Sequence, residues 1–239
     1  DVVELSIRAS GRQGTLSPGD LKVIENGQTQ NLLSLTPSRG PMEFIFVVDQ
    51  SLSMGEGKLD SALRAVTRQL PRMRDEDRAS LVLFNHRVSP PRVLTSGAIT
   101  GVRPSGGTSL RDALSSLEPA RSSAVIVITD GADRNSATSA EAALRTIGRS
   151  RMTVYGIALG SGEGSRFLRD ASVRTGGTFA RAGRDSIERE LSSILTDINS
   201  RYTLAYQSTN LEPGWREVSI SPAHRGVTVQ TSSRRYLAE

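Results

Sequence analysis

The sequence contains no cysteine, which removes disulfides, thiolate metal sites and cysteine nucleophiles together. Histidine is nearly absent too. His86 and His224 are the only two in 239 residues, too few for an imidazole-built zinc site unless carboxylates supplied most of the ligands. Aromatic residues make up 4%, and the single tryptophan, Trp215, reads as a core or edge-strand residue rather than a binding aromatic. No apolar run approaches the roughly 20 residues that span a bilayer. A phosphate loop is also missing, because the stretch Gly160 to Gly164 lacks the lysine and fixed spacing of one and reads as a flexible loop. Whatever chemistry the chain has must use oxygen.

What is present is the balance of a globular protein, with 36% hydrophobic and 23% charged residues. The net charge of +5 raises nucleic acid as a partner, since clustered cations bind phosphates by counterion release. The arginines are instead spread through every segment and interleaved with Asp and Glu, without the aromatic spacing that stacks bases. A mixed basic surface is the simpler reading, and nucleic acid is not expected. The chain begins at Asp1 rather than methionine. It reads as a processed or trimmed form from which any signal peptide or anchor would already be missing.

Three regions follow from the patterning. Residues 1–38 alternate, with Val3, Leu5, Ile7 and Ala9 on one face, then a run Leu21 to Glu25, then Asn26-Gly27 and a second run to Leu35. Asn-Gly between two such runs signals a hairpin. The stretch from Thr36 to Pro41 breaks the pattern and marks a boundary. Over residues 42–200, apolar strands (Glu43 to Asp49, Ser80 to Phe84, Ala124 to Asp130, Thr153 to Leu159) alternate with amphipathic segments. That is the pattern of a parallel sheet covered on both faces. Leu59, Ala62, Leu63, Val66 and Leu70 form one helical stripe, and Ile187, Leu191, Ile194, Leu195 and Ile198 another. Thr138 and Glu141 have the spacing of a capping box. Residues 201–239 return to alternation, with Tyr202, Leu204 and Tyr206, then Val218 and Ile220, then Val227 and Val229. Two or three strands rarely stand alone, so the two ends are expected to join in one small β-sandwich with the central α/β domain inserted in it.

The site-bearing residues fall where strands end. The first strand runs into Asp49-Gln50-Ser51-Leu52-Ser53, a carboxylate and two hydroxyls in a strand-to-helix turn, where open α/β sheets bind ligands. Gly106-Gly107-Thr108 precedes a helix-like segment, Ser109 to Leu117. Thr129-Asp130-Gly131 closes another buried strand. Three hydroxyls and two acids of this kind, Ser51, Ser53 and Thr108 with Asp49 and Asp130, also cap helices and turns, and it is their combination that is informative. Asp112 reads as a first-turn helix charge and Asp133 as a solvated loop acid.

The combination DxSxS, GGT and TDG resembles the metal-ion-dependent adhesion site of the von Willebrand factor A family. The resemblance covers roughly Met42 to Ser200. It implies a Rossmann-like fold with a six-stranded, mostly parallel sheet, and a divalent cation held by Asp49, Ser51, Ser53, Thr108 and Asp130. Leu52 departs from the pattern, since many members carry a smaller residue there. The flanks, LSPGDLKVIENGQTQNLLSL and RYTLAYQS with WREVSIS, resemble bacterial relatives, notably an acidobacterial group, and imply an exported protein: periplasmic, cell-surface or secreted. Cytoplasmic residence is the alternative.

Oxygen ligands suit Mg²⁺, a hard cation that takes them at about 2.0–2.1 Å and keeps several waters. Mn²⁺ and Ca²⁺ are alternatives. The resemblance implies a non-catalytic adhesion-type module whose metal bridges to an Asp or Glu carboxylate of a partner protein. The other readings are a component of an ATPase-driven assembly or chelatase-like complex, with the ATPase on a separate chain, and a hydrolase using Ser51 and His86. The last lacks a nucleophile-elbow motif.

Overall fold

The computed structural model describes all residues except 1, 12–14, 39, 96, 98, 120–122, 132, 151, 162, 230–232 and 239. Arg39, inside the expected boundary, and Gly162 of the expected flexible loop lie outside the described residues. In chain order the elements are β1 (Val2–Ser10), β2 (Leu21–Glu25), β3 (Gln28–Pro37), β4 (Glu43–Asp49), α1 (Lys58–Gln69), β5 (Arg78–Phe84), β6 (Arg92–Val93) and α2 (Leu110–Ser115). They continue with β7 (Ser123–Thr129), α3 (Ala140–Arg149), β8 (Met152–Ala158), α4 (Glu163–Arg174), β9 (Phe179–Arg181), α5 (Ile187–Asn199), β10 (Arg201–Gln207), β11 (Gly214–Pro222), β12 (Thr228–Val229) and β13 (Ser233–Ala238). They divide into two compact units, Pro41–Ile194 and the two flanks Asp1–Gly40 with Leu195–Glu239.

The central unit holds a six-stranded sheet in the order β6-β5-β4-β7-β8-β9. All its pairings are parallel except β5 with β6. Every residue of β7 is buried, and all but the first of β4, which is why both read as continuous apolar runs. One face, with Ile45, Val47, Val125, Val127 and Val154, packs against Leu110 and Leu114 of α2, Ile147 of α3 and Leu168 of α4. α1 lies against β4. Arg68 of α1 and Arg72, in the turn that follows it, join α5 through Glu188 and Ser192. Consecutive strands β4 and β5 are neighbours, whereas β7 lies on the other side of β4. The order therefore reverses between β4 and β7, and their carboxyl ends form the crevice where open α/β sheets take ligands.

The flanking unit is one seven-stranded sheet, β12-β1-β10-β3-β2-β11-β13, antiparallel throughout. The ends of the chain do pair, β1 with β10 and β10 with β3. The expected sandwich instead takes the form of a single near-barrel sheet, because its strands hydrogen-bond to one another rather than stacking as two layers. Asn26 and Gly27 have φ of 47° and 83°, the left-handed pair of a tight hairpin between β2 and β3. The inward residues Leu5, Ile7, Val23, Leu35, Tyr202, Leu204, Tyr206, Val218 and Ile220 make its core.

Two sequence expectations change here. Trp215 lies near the start of β11, where it pairs with β13 and the pairing with β2, which begins at Val218, does not reach it, and its side chain faces outward with 71% exposure. The inward positions of that strand belong to Arg216, Val218 and Ile220. Buried Arg216 reaches Glu25 at 3.3 Å and Ser208 at 2.7 Å, an interior ion pair that an alternating pattern does not reveal. The cap of α3 is Ser139, whose hydroxyl accepts from the Ala142 N–H. Thr138 instead donates its N–H to Asp112 at 2.9 Å.

Candidate metal centre

Asp49 ends β4 with its side chain fully buried. One carboxylate oxygen accepts from the Ser51 N–H at 2.8 Å, and the other accepts from the Thr129 hydroxyl at 2.6 Å, tying the end of β4 to the end of β7. Burial pushes the Asp49 carboxyl above the usual carboxylate range. The bonds from Thr129 and Ser51 oppose that shift, and the nearby negative charge of Asp130 adds to it. Ser51 and Ser53 share a hydroxyl–hydroxyl hydrogen bond of 3.0 Å, and the Ser53 hydroxyl donates to Asp130 at 2.8 Å. Four of the five predicted residues thus form one connected group at the crevice.

Thr108 is held in the adjoining loop by its backbone. Its carbonyl accepts from the N–H groups of Arg134 and Asn135, and its N–H donates to the Asn135 side chain at 3.1 Å. The side chain is buried, and among the described residues its hydroxyl has no hydrogen-bond partner. The loops are also joined directly, since Leu52 N–H donates to the Gly106 carbonyl at 3.0 Å and Ser105 N–H to the Gln50 carbonyl at 2.7 Å.

The glycines of GGT have a steric reason. A Cβ on Gly107 would lie 1.9 Å from the Asn135 side-chain oxygen. One on Gly106, whose φ is +71°, would lie 2.1 Å from the His86 ring. His86 therefore packs on the second loop, and among the described residues no hydrogen bond joins it to Ser51. Gly160 and Gly164, at the two ends of the stretch expected to be a flexible loop, form a platform for the third loop. A Cβ on Gly160 would fall 2.3 Å from the Asp130 carbonyl oxygen, and one on Gly164 2.4 Å from that of Gly131. Gly164 N–H donates to the latter at 2.8 Å.

Asp112 lies in the first turn of α2, as expected, whereas Asp133 differs from the solvated loop acid expected. Asp133, with its side chain 4% exposed, accepts from the Arg111 N–H and guanidinium and from Ser136. Asp112 accepts from the N–H groups of Ala137 and Thr138. Burial alone would raise its pKa, but those bonds and Arg111 hold it below the ordinary value. The two acids clasp α2 to the third loop. Lys58, Thr129 and Asn135 are contributors that sequence reasoning missed, and of these only Thr129 stood inside a recognised motif.

A buried carboxylate pushed upward, a second carboxylate 9% exposed and three hydroxyls form an all-oxygen set, which fits a hard divalent cation. Among the described residues no group of three or more His, Asp and Glu side chains converges. Residues 44–132 match the model of the von Willebrand factor type A domain family. Over that stretch the chain is similar to this family's A-type domain. Its fold is similar to that of a von Willebrand factor type A protein from Catenulispora acidiphila, at 12% identity and a TM-score of 0.56 over 100% of this chain and 73% of that one. Proximal thread matrix protein 1 of the mussel byssus, solved with a zinc-occupied metal-ion-dependent adhesion motif, aligns at 15% identity and 0.55 over 78% and 50%. The pilus adhesin SpaC of Lactobacillus rhamnosus GG aligns at 12% and 0.51 over 96% and 46%. No curated protein matches the chain. Among the described residues no helix is long and apolar enough to cross a membrane.

Proposed function

We propose that the chain is a non-catalytic protein-binding module that holds a divalent cation, Mg²⁺ first among candidates, on Asp49, Ser51, Ser53, Thr108 and Asp130. The cation, when bound, supplies an electrophilic position for a carboxylate oxygen of an Asp or Glu on a partner protein. The observation that carries this reading is the connected group from Asp49 through Ser51 and Ser53 to Asp130 at the switch point of the sheet, with the Thr108 hydroxyl, unpartnered among the described residues, in the next loop. It agrees with the general use of such domains in metal-dependent protein interactions. Leu52, 69% exposed between the two serines, offers an apolar contact beside the site, and its backbone bond to Gly106 fixes where that contact is presented. We propose an exported location, in keeping with the pilus adhesin among the fold's relatives.

The test is a pulldown from an extract of the source organism with the chain as bait, in Mg²⁺, in EDTA, and with Asp130→Ala in Mg²⁺. We expect a protein captured in the first condition alone. The same proteins in all three, or none in any, would contradict metal-bridged binding. Capture of an ATPase subunit would move the assignment to an assembly machine.

A further inference from the structure

Lys58 opens α1 and points its ammonium group back into the metal-site loops. It donates to the Ser53 carbonyl at 2.8 Å and reaches the free oxygen of Asp130 at 3.4 Å. Its side chain is 30% exposed and that of Asp130 only 9%, so the pair is screened less than a surface ion pair. Asp130 therefore divides its two oxygens between the Ser53 hydroxyl and a resident cation. Among the described residues Asp49 has no such cationic partner, although its side chain is fully buried.

We propose that Lys58 is a built-in counter-cation that lowers the affinity of the site for divalent metal and stabilises the metal-free protein. This rests on the reading of the five residues as metal ligands. Without metal, the ammonium offsets the repulsion between two carboxylates held at one strand edge. When a doubly charged ion is held, Asp49 and Asp130 already balance it formally. The ammonium then repels the ion and leaves the loaded site with a net positive charge. Such a site gives up its metal more readily than its ligands alone dictate, and it favours an anionic group on the partner. The helix fixes this role, because Lys58 begins α1 and its Ser53 anchor lies in the loop that leads into it.

Isothermal titration with Mg²⁺ separates this role from simple positioning of Asp130. Lys58→Met should bind Mg²⁺ about three- to tenfold more tightly than the wild type, and in EDTA it should melt lower. Lys58→Arg, which keeps the charge, should stay near wild type in both. Weaker or unchanged Mg²⁺ binding by Lys58→Met would overturn the inference, and so would an equal gain in Lys58→Arg. A wild-type protein that binds no Mg²⁺ would overturn the metal-site reading itself, a distinct outcome.

Discussion

Asp49→Asn is expected to melt at a higher temperature than the wild type in EDTA while binding no Mg²⁺. Asp49 has no exposed surface and among the described residues its carboxylate lacks a cationic partner, so ionisation in the metal-free state opposes folding. A carboxyl whose pKa rises on folding takes up protons more readily in the folded chain. Its favourable contribution is complete below the ordinary value of 3.8 and is lost as pH rises through the folded-state value. The wild type therefore takes on this cost as pH rises. Asparagine keeps an acceptor for the Ser51 N–H, but turns a donor toward Thr129, whose hydroxyl must then accept. The net gain we expect is about 1 kcal/mol, or roughly 2–4 °C in melting temperature. The gap should narrow as the solution is acidified. Thermal melts across pH check this, and a variant that melts lower at neutral pH, or a gap indifferent to pH, would count against it.

Gly160→Ala is expected to damage the site from outside it. The added methyl would meet the Asp130 carbonyl oxygen at 2.3 Å, a backbone atom that cannot swing away as a side chain could. Either β8 and its loop or the third metal loop must shift. Overpacking of this kind costs about 1–3 kcal/mol, and at roughly 2–4 °C per kcal/mol for a chain of this size the melting temperature should fall by several degrees. Because Asp130 moves with its carbonyl, Mg²⁺ affinity should drop by about tenfold or more, a 1.4 kcal/mol change. Gly148→Ala, on α3 with open space around its Cβ position, is the control and should leave binding intact. Normal Mg²⁺ binding by Gly160→Ala would show that the platform does not position Asp130.

The parallel sheet was legible because β4 and β7 are buried on both faces, which writes an uninterrupted apolar run into the sequence. The order of the first and third loops was legible for the same reason, as each ligand follows such a run directly. The single curled sheet of the flanks was not, since alternation shows which residues face inward but not which strands join edge to edge. Trp215 was misplaced for a related reason. An aromatic in a strand suggests core, yet the parity of β11 gives the interior to Arg216, whose charge is matched by Glu25 from a strand 191 positions earlier. The supports of the site were equally hidden. Asn135 under Thr108, Gly160 and Gly164 under the Asp130 loop, and the clasp of Asp112 and Asp133 all join segments distant in sequence, and nothing local distinguishes those residues from ordinary loop composition.

The most direct measurement is isothermal titration of Mg²⁺ into the metal-stripped wild type and into Asp130→Ala, with circular dichroism to verify that both are folded. The account predicts saturable binding of one ion by the wild type and none by the variant. Equal binding by the two, or none by the folded wild type, would contradict it.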